Sequence, residues 1–336
     1  MRLHLVVLII IIQCHNLFSQ KQYENLVFEG AGIRGLAYSG VIKGLEDLGM
    51  MNEIKRVGGT SAGAITAMML SIGYDSGEIY EIISKTDFQK FNKGKFGILG
   101  GFNRINKRYG WYINDKFEKW LEDLIENKTG DSEITFKELG ERGYKELHAT
   151  GTCINKQELI VFNSVTYPKM KVKDAIKISM SIPLYFEAIF LDSEGKLYNK
   201  QEEGFNLDVV VDGGLIGNYP IGIFDRFLID SLGRSYREIN TKTLGVRMDS
   251  DEQIKNDKNG LGLVEQKITD FRSYIEAFYI MTIENLNRNQ LTKEDWNRTI
   301  SVSSVNIGPK IKRLKQTEKE SLMKSGEEAV IAYFRK

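Results

Sequence analysis

Short apolar strands alternate with helical segments along much of this chain, and the alternation limits the folds open to it. A strand predicted over residues 25–29 precedes a helix over 34–48, and a strand over 54–57 precedes a helix over 61–72. Strands joined by helices run parallel, and the helices then cover the faces of the sheet. The sequence therefore predicts an α/β fold of three layers, with a mostly parallel central sheet flanked by helices.

The second half of the chain extends this pattern and then becomes helical. The other predicted strands cover 147–153, 158–162 and 208–211, and the other predicted helices cover 78–84, 114–126 and 172–180. Beyond them, apolar residues recur at the spacing of one long helix, namely at Val264, Ile268, Phe271, Ile275 and Phe278. We expect this helix and a final one over 317–334 to pack over the sheet. The chain then consists of one domain over 25–230 and a mostly helical C-terminal extension over 231–336, packed on that domain.

The N-terminus has the features of a secretory signal peptide. An apolar run over 5–12 follows Arg2 and His4, and it is shorter than the 20 or so residues that span a bilayer. With Ser19 as the small residue before the cleavage point, residues 1–19 are predicted to be removed, so that the protein is exported and is periplasmic or secreted. A lipoprotein anchor through Cys14 is less favoured, because Gln13 stands where a small residue is expected, and a buried N-terminal strand is a further alternative.

The composition excludes several classes of protein. Apolar residues make up 42% and charged residues 27%, which is typical of a globular chain, and a net charge of +1 predicts no nucleic-acid partner. Once the predicted leader is removed, His148 and Cys153 are the last residues of their types. A zinc site of His and Cys ligands then lacks donors, and we predict neither a metal nor a cofactor. His148 falls in a predicted strand, where a packed role is favoured over a catalytic one.

A G-x-S-x-G pentapeptide follows the second predicted strand. It consists of Gly59, Thr60, Ser61, Ala62 and Gly63. This pattern between a strand and a helix places the serine on a sharp turn with its hydroxyl projecting from the edge of the sheet. The N-terminus of the following helix also stabilises negative charge that develops nearby. Ser61 is therefore a candidate nucleophile, with a capped helix start as the structural alternative.

A second glycine-rich turn follows the first predicted strand. It consists of Gly30, Ala31, Gly32, Ile33, Arg34 and Gly35. Its G-x-G-x-x-G form is compatible with a dinucleotide site, but the acidic residue that such a site needs after the next strand is absent. The same turn suits an oxyanion hole made of backbone N–H groups. Arg34 either positions this loop or a phosphate, or is a surface arginine.

The third turn, Asp212-Gly213-Gly214, ends the predicted strand 208–211. An aspartate at the carboxyl end of a strand lies in the crevice where α/β proteins bind their ligands. An Asp-Gly turn without a catalytic role is the commoner use of this dipeptide. In combination with the other two turns, Asp212 is the candidate base.

These three turns, in this order, resemble the three signatures of the patatin-like phospholipases. The segment Ser179-Met-Ser-Ile-Pro also resembles the serine-proline segment of that family, and 212–220 matches its D-G-G-x-x-x-N-x-P pattern. The resemblance covers roughly 25–230. Ala31 stands where the family usually has glycine, and alanine can serve there if its φ is negative, because the oxyanion donors are backbone N–H groups.

The resemblance implies a patatin-like lipid acyl hydrolase that works through a Ser–Asp dyad. By this likeness Ser61 attacks an ester carbonyl of a phospholipid or other acyl lipid, Asp212 moves the proton, and N–H groups of residues 30–35 hold the oxyanion. Gly213 and Gly214 belong to the supporting turn. A non-catalytic lipid-binding or regulatory protein on the same fold, and a dinucleotide enzyme, are the alternatives.

The segment 88–112 combines basic and aromatic residues. It contains six Lys or Arg residues, seven aromatic residues and no acidic residue. This mixture suits a membrane surface, where aromatic rings lie at the depth of the headgroups, and it also suits single-stranded nucleic acid. We predict a glycine-hinged flap that contacts the membrane, with a solvated loop whose rings fold into the core as the alternative.

Overall fold

The computed structural model describes residues 22–92, 97–202, 204–285, 288–309 and 312–335. The predicted signal peptide 1–19 and Cys14 lie outside these residues, as do positions 93–96 of the predicted flap. Within the described part of the chain, none of the helices combines the length and the apolar character needed to cross a membrane.

A nine-stranded sheet forms the centre of the molecule, with two small two-stranded sheets beside it. In chain order the strands are β1 (Asn25–Phe28), β2 (Arg56–Gly59), β3 (Gly110–Tyr112), β4 (Glu146–Cys153), β5 (Glu158–Phe162), β6 (Leu184–Phe186), β7 (Ile189–Leu191), β8 (Leu197–Tyr198), β9 (Asp208–Asp212), β10 (Arg226–Ile229), β11 (Ser235–Glu238), β12 (Thr243–Asp249) and β13 (Thr299–Ser303). The main sheet has the order β13-β12-β1-β2-β4-β9-β7-β8, with β5 also paired to β4.

The parallel part of this sheet runs from β13 to β4, and antiparallel pairs follow it. Each of the pairs β13–β12, β12–β1, β1–β2 and β2–β4 is parallel, whereas β9 pairs antiparallel with both β4 and β7. Helices flank this sheet, so the predicted α/β class is confirmed.

Twelve α-helices are found in the described residues. They are α1 (Ala37–Asp47), α2 (Ala62–Ser71), α3 (Ser76–Lys85), α4 (Gly97–Arg108), α5 (Asp115–Thr129), α6 (Phe136–Glu141), α7 (Val172–Ser179), α8 (Gly214–Gly217), α9 (Asp251–Lys258), α10 (Phe271–Tyr279), α11 (Lys293–Asn297) and α12 (Gln316–Phe334). A 3₁₀ turn over Gly32–Leu36 leads directly into α1, and a π turn over Ile280–Glu284 continues α10.

The last helix, α12, packs closely on α1. A side chain at Gly40 would come within 1.8 Å of the Met323 carbonyl oxygen, and one at Gly326 would come within 2.2 Å of the Ala37 carbonyl oxygen. Small residues on both helices therefore let the two backbones approach. Leu322 and Val330 of α12 are fully buried in the core, which ties the end of the described chain to the helix that follows the first glycine-rich turn.

The predicted extension over 231–336 contains helices and also supplies two strands of the main sheet, which the sequence did not predict. β12 pairs with β1, and β13 pairs with β12. The strand β12 was not predicted from the sequence, because Arg247 interrupts its apolar run. Arg247 is only 2% exposed, and the buried carboxylates of Glu29 and Asp249 neutralise its charge. A charged residue therefore occupies a position at which a buried strand normally has an apolar residue.

The predicted long helix through Val264 and Phe278 also needs correction. Asp270 accepts a hydrogen bond from the Ser273 N–H, a capping box that starts α10 at Phe271. Val264 and Ile268 therefore precede the helix. Phe271 and Phe278 are exposed rather than packed over the sheet.

The segment 88–112, predicted as a glycine-hinged flap, contains the helix α4. A side chain at Gly101 would lie 2.7 Å from the ring of Trp111. This glycine therefore allows α4 to contact the strand that follows it. The glycines of α4 have a low helix propensity, and tertiary packing overrides it.

Candidate active site

The register of the sheet brings two predicted site residues together. Gly59, the last residue of β2, pairs with Ala149, and Asp212, the last residue of β9, pairs with Gly151. The ends of β2 and β9 therefore meet at neighbouring positions along β4. Ser61 follows β2 by two residues, so it lies at the same corner of the sheet as Asp212.

Ser61 lies on a tight turn between β2 and α2. Its φ is +54°, a left-handed value that a non-glycine residue seldom adopts. A side chain at Gly59 would lie 2.7 Å from the Phe28 carbonyl oxygen, and one at Gly63 would lie 2.5 Å from that of Glu29. The two glycines are thus required because the turn crosses the end of β1 at close range.

A segment after α7 holds this turn. The Ser61 N–H donates to Ser179 Oγ at 2.9 Å, and the Ser61 hydroxyl is directed at Met180 Sδ at 3.4 Å. On the other side, Thr60 Oγ1 lies 2.6 Å from Thr150 Oγ1 and donates to the Gly217 carbonyl at 2.9 Å. Ser61 is therefore buried with a fixed backbone.

Asp212 is a buried carboxylate in a largely apolar setting. Its Oδ1 accepts the Gly214 N–H at 2.7 Å, and its own N–H donates to the Ser181 carbonyl at 2.9 Å. Burial raises the pKa of Asp212 from 3.8 to about 7, against the opposing effects of hydrogen bonds from the Gly214 N–H and the Ser61 hydroxyl. The Ser61 hydroxyl thus has two neighbours, the Met180 sulfur and the Asp212 carboxylate.

The turn over residues 30–35 lies beside Ser61. Ala31 has a φ of −130°, the negative value that an alanine needs at this position. Gly32 has a φ of +56°, and a side chain on it would lie 2.4 Å from the Pro309 carbonyl oxygen. Ile33 and Gly35 continue the turn, and a side chain on Gly35 would meet Ala62 at 3.0 Å. N–H groups in the first turn of a helix lack acceptors within it, so this turn offers backbone donors.

Arg34 is buried and bonds to the backbone of the same turn. It is 5% exposed, and its Nε donates to the Ala31 carbonyl at 3.1 Å. The surface alternative is therefore wrong.

A polar cluster supports the turn from behind. Gly30 N–H donates to the Asn218 carbonyl at 2.9 Å, and Asn218 Nδ2 donates to the Gly30 carbonyl at 3.0 Å. Glu29 accepts the Met248 N–H at 2.8 Å and lies 3.3 Å from Arg247 Nη1. Since all these groups are buried, the turn is clamped to β12 and to the loop after Asp212.

The predicted packed role of His148 agrees with its contacts. Its Nε2 lies 2.7 Å from Glu146 Oε1, and its Nδ1 lies 3.2 Å from Asn163 Nδ2. The ring also packs edge-on against Phe224 at 4.6 Å between centroids. Both ring nitrogens are thus occupied by groups other than Ser61.

A narrow apolar cavity of about 60 Å³ adjoins Ser61, and a larger surface groove of about 740 Å³ lies next to it. Ile182, Tyr279 and Pro309 line both spaces. The groove is lined further by one acidic residue, Glu276, and by aromatic and aliphatic side chains, namely Trp111, Tyr112, Pro183, Leu184, Tyr185 and Ile275. The cavity beside the serine and the surface groove are therefore neighbours that share Ile182, Tyr279 and Pro309.

Sequence reasoning gave no role to Ser179, Met180, Ser181, Asn218 or Glu29. The signal was present in part, since the first three belong to the serine-proline segment and Asn218 belongs to the D-G-G-x-x-x-N-x-P pattern. Glu29 carried no signal, because its partner Arg247 lies far along the chain. Within the described ranges, no cluster of three or more His, Cys, Asp or Glu residues is arranged to hold a metal ion.

A serine at a strand-to-helix turn, beside a buried aspartate and a glycine-rich turn, defines a class of serine hydrolase. The family model described as patatin-like phospholipase matches residues 26–225. This chain belongs to that family and is a hydrolase, and the family acts on lipid substrates.

Relatives from several sources share this likeness. The uncharacterized protein YqhO of Bacillus subtilis is 34% identical over 212 residues, covering 61% of this chain and 67% of YqhO. The probable lipid hydrolase 463L of Invertebrate iridescent virus 6 is 30% identical over 204 residues, covering 60% of this chain and 63% of that protein. The crystal structure of VipD from Legionella pneumophila superposes with a TM-score of 0.55 at 16% identity, covering 94% of this chain and 67% of VipD. At that identity the similarity is one of fold.

Proposed function

We propose that this protein is a serine lipid acyl hydrolase that cleaves carboxylic ester bonds of membrane lipids, with Ser61 as nucleophile and Asp212 as base. The observation that carries the proposal is the buried Asp212 beside the Ser61 hydroxyl, with a pKa raised to about 7. A carboxyl group of ordinary pKa is a weak base for serine, whereas one near neutrality is matched to the working pH.

The reaction proceeds in two halves. Ser61 Oγ attacks the ester carbonyl carbon while its proton moves to Asp212, and the tetrahedral intermediate then collapses as Asp212 protonates the leaving alcohol. A water molecule next attacks the acyl-enzyme, giving its proton to Asp212, and the proton returns to Ser61 as the carboxylic acid leaves. Each half restores the charge of the dyad.

The first glycine-rich turn supplies the oxyanion hole in this proposal. The Gly30 and Arg34 N–H groups donate to the Asn218 and Ala31 carbonyls. The remaining N–H groups of the turn, with Gly32 at their centre, donate to the oxygen that becomes negative in the tetrahedral intermediate. The φ of −130° at Ala31 and the bond from Arg34 to the Ala31 carbonyl support this role. The carbonyl end of the acyl chain enters the small cavity next to Ser61, and the rest of the chain lies in the larger groove beside it.

The test is to incubate the purified protein with a mixed lipid extract and identify the products. We expect free fatty acids and lysolipids from the wild type and none from Ser61→Ala. Labelling with a fluorophosphonate separates this function from the alternative, a non-catalytic lipid-binding or regulatory protein. A folded protein that neither reacts with the probe nor releases fatty acid would leave only the alternative.

We also propose that the protein is exported, with residues 1–19 removed, and that 88–112 contributes to membrane contact. Phe102 and Lys107 are exposed, whereas Phe88 and Phe91 pack with Trp120. The aromatic residues of this segment therefore divide between the core and the surface. N-terminal sequencing of protein from fractionated cells tests export, and a mature chain that begins at Met1 would contradict it.

A further inference from the structure

The helix α10 presents apolar side chains to solvent at the mouth of the active-site groove. Phe271 is 79% exposed, Phe278 52% and Met281 57%. Tyr274 and Ile275 are also exposed, so the apolar stripe recognised in the sequence faces outward instead of into the core. An outward apolar stripe on a helix of a soluble fold indicates a surface that is covered in use.

The inner side of this helix contacts the catalytic corner. Tyr279 lines the cavity next to Ser61, and Ile275 lines the groove that leads to it. In the π turn that continues α10, Ile283 lies 3.2 Å from where a side chain on Gly214 would begin. The exposed stripe is thus carried by an element that itself forms part of the route to the nucleophile.

The opposite rim of the groove is apolar as well. Leu184, which lines the groove, is 69% exposed and has φ +67°, while Phe102 is 61% exposed and packs its ring 5.6 Å from Trp111. The two rims come from chain segments far apart in sequence. Exposed apolar groups therefore surround the groove instead of forming an isolated patch.

We propose that α10, together with Leu184 and Phe102, is the surface by which the protein docks on a lipid bilayer. The inference rests on the proposed function. A protein partner or a second copy seated on these rims would close the groove against substrate, whereas a bilayer supplies the substrate through the same opening. Phe271 and Phe278 enter the boundary between headgroups and acyl chains, and a lipid then passes along the groove to Ser61.

The experiment compares two matched double variants. Phe271→Ser with Phe278→Ser removes the outward rings of α10, and Phe227→Ser with Ile229→Ser removes side chains that are 70% and 76% exposed on the β10–β11 hairpin. None of these four residues lines the cavity or the groove. Vesicles of phosphatidylcholine with a minor share of phosphatidylglycerol are sedimented with each protein, and hydrolysis of a water-soluble short-chain ester is measured in parallel.

We expect the α10 variant to lose roughly 10-fold or more in vesicle binding and in vesicle hydrolysis, with soluble-ester hydrolysis and melting temperature unchanged. The hairpin variant should match the wild type in every assay. Equal loss in both variants, or unchanged vesicle binding in the α10 variant, would overturn the proposal. So would light scattering that shows the α10 variant to be monomeric beside a dimeric wild type.

The same design separates this inference from the proposed function. Ser61→Ala should sediment with vesicles as the wild type does, because docking does not need the nucleophile. If the wild type fails to hydrolyse the soluble ester, the proposed chemistry is wrong, whatever the vesicle binding. If it hydrolyses the ester and the α10 variant still binds vesicles, only the docking surface is wrong.

Discussion

Two buried carboxylates in this molecule have pKa values shifted in opposite directions. Asp212 lies at the carboxyl end of β9, where burial raises its pKa to about 7 and only the neutral donors Gly214 N–H and Ser61 hydroxyl oppose that effect. Asp295 precedes β13 and is fully buried. Burial acts on it too, but hydrogen bonds from Arg237 and Arg298, at 2.6 and 2.8 Å, lower its pKa overall.

The comparison indicates which partners a buried aspartate needs in order to act as the proposed base. Both groups lose their hydration, so burial alone does not distinguish them. A guanidinium partner keeps Asp295 ionised and makes it a structural anchor, whereas neutral partners leave Asp212 able to take up a proton near neutral pH.

The largest effect is expected on catalysis. Ser61→Ala and Asp212→Asn should each lower kcat for ester hydrolysis by about 10³-fold or more, because the dyad acts as a unit. Steady-state rates on a short-chain ester measure this loss, and circular dichroism checks the fold. A double variant whose kcat is no lower than that of either single variant would show that the two residues act together. An active Asp212→Asn protein would contradict the proposed role of Asp212.

Asp295→Asn should lower the free energy of unfolding by about 3–5 kcal/mol, because it leaves the buried Arg298 and the half-buried Arg237 to share Asp225 alone. Urea unfolding measures the loss. Asp230→Asn is the control, since that aspartate pairs with Arg234 on an exposed hairpin and such pairs contribute about 1 kcal/mol or less. Activity per folded molecule should stay unchanged in both variants.

Asp212→Asn should stabilise the fold above neutral pH. A carboxyl whose pKa is raised from 3.8 to about 7 binds its proton more tightly in the folded state, so the wild type loses stability as pH rises between those values. At about 1.4 kcal/mol per pKa unit, the gain from the substitution is at most about 4 kcal/mol. Melting curves should show the gain growing from pH about 4 to about 7 and then levelling, and a gain independent of pH would refute the assignment.

The pH dependence of the wild-type rate should follow the same group. Asp212 must be ionised to accept the Ser61 proton, so kcat/KM should fall about tenfold per pH unit below the pKa near 7. A soluble ester avoids effects of pH on vesicles. A profile that stays flat down to pH about 5 would show that the free enzyme does not depend on a carboxyl of raised pKa.

The smallest effect is expected at His148. His148→Gln should change the rate by less than about twofold, because its ring nitrogens are engaged by Glu146 and Asn163 rather than by the nucleophile. Glutamine keeps polar atoms in reach of both partners. A folded variant that has lost activity would place a histidine in the mechanism and remove the dyad from it.

The sequence marked the turns that carry Ser61 and Asp212 more clearly than the residues around them. The glycines at 59 and 63 mark a place where strand backbones nearly touch, and such constraints leave a local signature. The ion pair of Glu29 and Arg247 leaves no such signature in the sequence, because the two residues come together only through the pairing of β12 with β1. For the same reason β12 could not be recognised as a buried strand.

The periodicity of the C-terminal region identified an apolar face and assigned it to the wrong environment. A stripe at helical spacing shows that one side of a helix is apolar, but it does not say whether protein or another medium covers that side. Phe271 and Phe278 are exposed, and only the position of α10 next to the groove distinguishes the two cases.

The pairing of β1 with β12 joins two strands that are made at very different times during synthesis. β1 carries the first glycine-rich turn, and its neighbour β12 begins 218 residues later with Thr243 paired to Asn25. On the ribosome, the serine turn after β2 therefore emerges long before Asp212, and Asp212 emerges before the strand that holds Glu29 in place. The contacts that β12 makes with β1 and with Glu29 can form only after translation has passed β12, so this corner of the sheet is completed late in synthesis.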